Sequence, residues 1–229
     1  MLIKKWEKLP ADMRNEAVRP YYERLRKKNF SLFWKRVFDF FVSTIMLLLL
    51  SLLFLILAIA IKIDSRGPVF FRQERVTQYG RKFRIFKFRT MVAGADKLGS
   101  QVTVQNDMRI TRVGKFIRKC RLDEVSQLID VWRGTMTFVG TRPEVPKYVE
   151  RYTDEMKATL LLPAGVTSLA SIKFKDEDEL LKDAENVDDA YVNEVLPKKM
   201  EYNLKSLKKQ GFWRDIGTMF QTVGAVLKR

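Results

Sequence analysis

An uncharged run of about 22 residues, Phe40 to Ile61 (FFVSTIMLLLLSLLFLILAIAI), constrains this chain more than any other feature. As a helix it matches a hydrocarbon core of roughly 30 Å, so it predicts a membrane helix rather than the core helix of a soluble domain. Its flanks raise a second question. Lys35 and Arg36 precede it, and Lys62, Arg66, Arg72 and Arg75 follow it. Lys and Arg gather on the cytoplasmic side of a span, so basic residues at both ends point to a helix that enters and leaves on one face. Ser51 lies near the middle, but no Pro or Gly marks a break there. Composition alone leaves re-entrant and spanning helices equally open.

Charge narrows the chemistry. The chain has 229 residues and a formal net charge of +16. Met1–Asp39 holds 11 basic and 5 acidic residues, Lys62–Arg151 holds 20 and 9, and the remainder is nearly neutral. Such a balance favours nucleic acid, anionic lipid or phosphorylated substrates without choosing among them. There is no histidine, which excludes Ser-His-Asp and Cys-His arrangements and the common zinc sites. Catalysis would fall to carboxylates, with Lys, Arg or a hard cation as electrostatic partners. The single cysteine, Cys120, excludes an intrachain disulfide framework.

Periodicity places the remaining elements. Met1–Asn29 reads as one or two short surface helices punctuated by Pro10 and Pro20. It does not read as a cleavable signal, because the apolar run starts late. Val69–Arg75 and Phe83–Phe88 read as a basic hairpin or two short strands, with turns at Gly67-Pro68 and Tyr79-Gly80. Helix dominates from Ile110. Leu122, Val125, Leu128, Ile129 and Trp132 form an apolar face that Gly134 closes. Phe138–Pro143 reads as a loop, Val145–Leu162 as a helix and Pro163-Ala164-Gly165 as a break. After the acidic stretch Asp176–Glu179, helices are expected over residues 180–184, 191–209 and 212–227. The last carries Trp213, Ile216, Met219, Phe220 and Val223 on one side.

Asp123-Glu124 is the most suggestive pair, placed where a helix N-terminus favours anions and following Arg118, Lys119 and Arg121. Acidic residues also cap helices routinely, and Arg142 in GTRPE is also suited to tying down a loop, so neither establishes a site alone. Phosphate loops of the GxxxxGK[ST] or GxGxxG type are absent. The ordered motifs are more specific. KRVFD, the apolar run, IKIDSRGPVFFRQERV, KFRTM, NDMRITRVGKFIRK, RLDEVSQLIDVWRGTMTFVGTRPE and PAGVTS follow one another from Lys35 to Ser168. In this order, over a stretch from about Trp34 to the C-terminus, the chain resembles the monotopic phosphoglycosyl transferases, the bacterial sugar transferase family.

The resemblance implies transfer of a phosphosugar from a UDP-sugar to polyprenyl phosphate, with release of UMP. It implies Asp123 as covalent nucleophile and Glu124 as its acidic partner and Mg²⁺ ligand. Lys87 and Arg89 match KFRTM, Arg118 the basic residue before the pair, and Arg142 the arginine of a Gly-Pro-Arg-Pro motif; with Arg72 and Arg75 they are the expected phosphate-binding residues. Expected partners are UDP-sugar, polyprenyl phosphate and membrane lipid, with no nucleic acid; oligomeric state is not specified. The family's re-entrant helix puts the catalytic domain on the cytoplasmic face of the bacterial inner membrane. The fold is therefore expected to be α+β and mainly helical, with a re-entrant membrane helix, a small β element and interfacial amphipathic helices. Residues 1–33 are expected to form a basic helical extension, 34–61 the re-entrant helix and 62–229 the catalytic domain. Three departures stand out: Leu52 where the family has proline at the bend, Ser126 for proline after the acid pair, and Thr141 in GTRP. A non-enzymatic, basic membrane-anchored module binding anionic lipid or nucleic acid accounts for the charge and the anchor, but not for the ordered motifs.

Overall fold

The apolar run folds as parts of two helices, α2 (Asn29–Leu49) and α3 (Ser51–Asp64), which meet at Leu50 with a bend of 61°. The computed structural model describes residues 3–95, 107–174 and 186–227, so the acidic stretch Asp176–Glu179 and the helix expected at 180–184 lie outside the described residues. Among these residues no single helix is long and apolar enough to cross a membrane; the bent pair fits a re-entrant helix.

The bend has a packing cause, since no proline is present. Phe38, Val42 and Met46 of α2, with Leu50 at the bend, pack on a cluster that contains Leu128, Val131 and Phe138. Leu57 and Ile61 of α3 instead join Phe88 and Ile117 in a different cluster. The two halves thus dock on different seats, and burial of each large side chain contributes about 1.5–3 kcal/mol. The outer faces stay bare: Phe41, Ile45, Leu48, Leu49, Leu52 and Leu55 are exposed. A contiguous apolar surface of this kind marks contact with lipid or a partner.

Ahead of the bend lies α1 (Arg19–Arg26), preceded by 3₁₀ turns at Trp6–Lys8 and Ala11–Met13. Met13, Val18 and Leu25 are buried in one core with Leu161, Leu196 and Met200. After the bend come four short strands: β1 (Phe70–Phe71), β2 (Glu74–Val76), β3 (Lys82–Arg84) and β4 (Lys87–Phe88). β2 pairs antiparallel with β3, and β1 with β4. The expected small basic β element is present.

Helix α4 (Arg112–Lys119) is capped by Thr111, whose Oγ1 accepts from Gly114 N at 3.0 Å. A 3₁₀ turn (Leu122–Gln127) then runs into α5 (Leu128–Arg133), which Gly134 ends at φ 81°. Beyond this point the structure departs from the periodicity. The expected loop begins as β5 (Met136–Val139), and the expected break at Pro163–Gly165 opens β6 (Ala164–Thr167), which pairs parallel with β5. The helix expected over Val145–Leu162 is replaced by α6 (Pro146–Val149) and a 3₁₀ turn at Met156–Leu161. Leu160, Leu161 and Leu162 are all buried, and three consecutive residues cannot share one face of an α-helix.

Helix α7 (Leu169–Lys173) follows β6; later, α8 (Val187–Ala190) passes through a π turn into α9 (Leu196–Lys208). The final helix, α10 (Phe212–Leu227), is turned with polar groups inward. Asp215 is buried against Lys35 of α2 at 2.6 Å, while Trp213 is 80% and Phe220 71% exposed. An outward apolar face on an amphipathic helix is the arrangement that seats in a membrane interface.

Candidate active site

Three local devices bring distant charges to the 3₁₀ turn that holds Asp123 and Glu124. Arg121 adopts a left-handed conformation, φ 56°, which ends α4 and starts this turn. Such a φ is uncommon outside glycine, and it redirects the chain toward β4. Ser126, fully buried, donates its hydroxyl to the Phe86 carbonyl at 3.1 Å, while Asp130 accepts from Phe86 N at 2.8 Å. The turn and β4 are thereby tied together, and Lys87 comes within reach of the acids. Ser126 stood out in the sequence only as a replacement for proline and Asp130 not at all; both are ordinary polar residues in a helical stretch, with nothing local to mark a partner some forty residues away.

The third device delivers Arg142. It leaves the end of β5 on a loop that passes against β6 at two glycines. Gly165 N donates to the Thr141 carbonyl at 2.8 Å, and Gly140 N to the Thr167 carbonyl at 3.0 Å. A Cβ at Gly165 would stand 2.2 Å from Gly140 N, so only glycine permits this approach. The next residues are pinned as well: Arg75 donates to the Pro143 carbonyl at 3.1 Å and Val76 N to the Glu144 carbonyl at 2.9 Å. Buried Glu144 accepts from Tyr191 Oη at 2.7 Å and pairs with Lys199 at 3.4 Å.

The outcome is a carboxylate between two cations. Glu124 accepts from Lys87 Nζ at 3.1 Å, and its two oxygens accept from Nη2 and Nη1 of Arg142, the latter at 3.2 Å. Burial works to raise the Glu124 carboxyl, but the charges of Arg142 and Lys87 outweigh it and hold it well below the usual carboxylate range. Burial in turn pushes the Lys87 ammonium down. Asp123 is placed differently. Among the described residues its carboxylate makes no hydrogen bond or ion pair; Lys87, Arg118 and Arg142 act on it only at a distance. Burial, reinforced by the charge of Glu124, raises it above the ordinary value.

Of the expected phosphate-binding residues, Lys87 and Arg142 join the acid pair directly. Arg118 lies close enough to act on Asp123 and donates to Thr90 Oγ1 at 3.0 Å. Arg75 stands behind Arg142 as a support for its loop. Arg89 and Arg72 are not brought to the pair. Arg89 is buried and donates to the carbonyls of Ser65 at 2.6 Å and Arg66 at 3.0 Å, closing the C-terminal end of α3. Gly67 makes room for it, since a Cβ there would fall 2.0 Å from Arg89 Nη1. Arg72 lies over the Phe86 ring at 3.4 Å and donates to the Arg84 carbonyl.

Two neighbouring carboxylates with arginine and lysine beside them suit a divalent cation that is shared with a phosphorylated ligand. Among the described residues no group of three or more His, Cys, Asp or Glu side chains gathers. Mg²⁺ is commonly held by one or two carboxylates with phosphate and water oxygens completing its shell. A carboxylate has about four acceptor directions, so Glu124, with three donors, retains room for a cation. The residues present fit that group.

A family model described as bacterial sugar transferase matches residues 30–229. A UDP-N-acetylgalactosamine-undecaprenyl-phosphate N-acetylgalactosaminephosphotransferase of Aeromonas hydrophila is 34% identical over 198 residues, 85% of this chain and 44% of the relative. A UDP-glucose:undecaprenyl-phosphate glucose-1-phosphate transferase of Escherichia coli (strain K12) is 36% identical over 194 residues, 82% of this chain and 39% of the relative. A putative undecaprenyl-phosphate N-acetylgalactosaminyl 1-phosphate transferase of Bacillus subtilis (strain 168) is 37% identical over 122 residues, 53% of this chain and 68% of the relative. The chain spans less than half the length of the first two.

Proposed function

This chain belongs to the bacterial sugar transferase family, and from that premise we propose that it transfers a sugar 1-phosphate from a UDP-sugar to undecaprenyl phosphate by way of an aspartyl intermediate on Asp123. The observation that carries this reading is the asymmetry of the acid pair: Glu124 is locked between Lys87 and Arg142, while Asp123 beside it has a carboxylate free to attack.

The reaction balances in two displacements. A carboxylate oxygen of Asp123 attacks the β-phosphorus of the UDP-sugar. The bond from that phosphorus to the bridging oxygen breaks, and UMP leaves with the oxygen. A phosphate oxygen of the lipid then attacks the same phosphorus, restoring the Asp123 carboxylate and giving the lipid diphosphate sugar. Carboxylates are competent nucleophiles once the charge they approach is neutralised. Lys87, Arg118 and Arg142 supply positive charge close enough to act on Asp123, and burial makes each interaction stronger than in water. Glu124, with Asp123 at its side, would hold Mg²⁺. When bound, that ion neutralises diphosphate charge as a Lewis acid. The bent helix pair with its exposed apolar faces supports a place at the membrane, and basic residues on both flanks support the cytoplasmic face.

The test is the intermediate itself. Incubation with UDP-sugar and Mg²⁺ but no lipid should add one phosphosugar mass to the protein and release one equivalent of UMP. Asp123→Asn should abolish the adduct and lower turnover by about a thousandfold or more. An adduct mapped to another residue, or full turnover by the variant, would contradict the assignment.

A further inference from the structure

Helix α2 carries a carboxylate that neither a membrane segment nor the acid pair requires. Asp39 is fully buried, although the next two residues, Phe40 and Phe41, are exposed. Burying a carboxylate is costly, and a well-packed apolar side chain in its place often serves stability as well or better. Its partners give it a different purpose. Asp39 Oδ2 accepts from Thr137 Oγ1 of β5 at 2.6 Å, and the carboxylate also accepts from the Phe138 amide. Lys35, one turn earlier on α2, stands near enough to offset part of its charge.

Thr137 passes this hold on to the loop of Arg142. Its hydroxyl is taken by Asp39, and its methyl lies against Gly140, where an added Cβ would stand 3.0 Å from Thr137 Cγ2. A β-branched side chain is stiff about χ1, so fixing the hydroxyl fixes the direction of the methyl. Gly140 N donates to the Thr167 carbonyl at 3.0 Å, and two residues later Arg142 reaches Glu124. Among the described residues Asp39 makes no hydrogen bond or ion pair with the acid pair or with Arg142. Any effect that it has on them passes through β5.

We propose that Asp39 and Thr137 are positioning residues for Arg142. The carboxylate on α2 orients Thr137, the methyl of Thr137 seats Gly140, and Gly140 sets the loop that brings Arg142 to Glu124. Helix α2 is then part of the framework of the site as well as an apolar anchor. The inference rests on the transferase reading for its kinetic test alone, because the contacts themselves belong to the fold.

Three variants of the full chain in nanodiscs test it. Asp39→Ala removes the acceptor, Thr137→Ser keeps the hydroxyl but loses the methyl, and Asp39→Asn keeps an acceptor for Thr137 without the charge. The first measurement needs no turnover. Hydrogen exchange at the Gly140 amide should quicken at least tenfold in Asp39→Ala and Thr137→Ser and stay within threefold of wild type in Asp39→Asn. Unchanged exchange in the first two, or an Asn variant as fast as the Ala variant, overturns the proposal. The second measurement is the rate of the UMP burst formed without acceptor. It should fall at least tenfold in Asp39→Ala and Thr137→Ser, and Asp39→Asn should restore most of the loss. Each substitution is then repeated beside Arg142→Lys. A residue that acts through Arg142 adds less than a twofold further loss in that background, whereas losses that multiply in full mean a general structural role and refute the inference. If Asp39→Ala does not fold, Thr137→Ser carries both measurements. A wild-type protein that releases no UMP from any UDP-sugar would count against the transferase reading, and the exchange result would then decide the positioning alone.

Discussion

Asp123 and Glu124 are neighbours of the same chemistry whose surroundings drive them apart. Glu124 has a side chain only 16% exposed and two cationic partners, so its folded-state acidity lies below that of the unfolded chain. A carboxyl depressed in this way contributes stability that is present above its unfolded value and disappears as pH falls through the folded one. Glu124→Gln removes that contribution and leaves Lys87 and Arg142 facing a neutral amide. Breaking a buried pair from one side costs on the order of 3 kcal/mol, and a lower denaturation midpoint at neutral pH, converging with wild type in acid, would register it. The same variant should lose most of its dependence on added Mg²⁺ along with most of its rate, and wild-type turnover undiminished in excess EDTA would refute the metal role. Asp123 shifts the other way. Its folded-state value is raised, so ionising it weakens the fold as pH rises through that value. Asp123→Asn should therefore match or exceed the wild-type melting temperature at neutral pH while forming no adduct.

Among the elements, the β5–β6 pair decides where Arg142 stands. The two strands are only four residues each, and their contact continues past Val139 because Gly140 and Gly165 let two backbones touch. Gly165→Ala forces a Cβ to within 2.2 Å of the Gly140 amide nitrogen, and overpacking of this kind costs about 1–3 kcal/mol. The expected result is a modest loss of stability joined to a much larger loss of UMP release, because the strain falls on the loop that carries Arg142. Equal losses in the two measurements would mean that the pairing serves the fold alone. The helical elements follow the same rule on a larger scale: α10 carries the amphipathic pattern expected of an interfacial helix, and it turns its polar face inward, where Lys35 and Thr167 receive Asp215 and Thr222.

At the scale of the molecule, the bent helix pair and the outward face of α10 define one apolar exterior, and the two flanks of the bend should lie on one side of the bilayer. Lys8 and Lys209 are exposed positions on opposite sides of the bend in sequence. With exposed Cys120 replaced by serine, cysteines at 8 and 209 should both be protected from a membrane-impermeant thiol reagent in intact cells and both react after permeabilisation. Labelling of the residue 8 cysteine alone would make the segment a true span. The missing proline at Leu52 does not weaken the expectation, because the helix bends at Leu50 without it and its two halves dock on separate clusters.

Much of this protein was legible before any coordinates. A run of uncharged residues, a histidine-free composition and an ordered set of charged motifs are local properties; they predict a membrane helix, turn attention to carboxylates and single out the acid pair that the fold gathers with Lys87 and Arg142. Alternation in a basic stretch likewise predicted the small β element. The parallel β5–β6 pairing was not legible, since four-residue strands separated by a long connection leave no periodicity and their glycines read as turns. Nor was the division of labour among the arginines. Arg89, Arg142 and Arg72 have the same chemistry in sequence, and only the tertiary structure sends one to the end of a helix, one to Glu124 and one onto an aromatic ring. Position along the chain carries residue type and local propensity. Which charge meets which carboxylate depends on contacts between residues far apart, and in this fold a turn at Arg121, a hydroxyl at Ser126 and a backbone approach at Gly165 decide it.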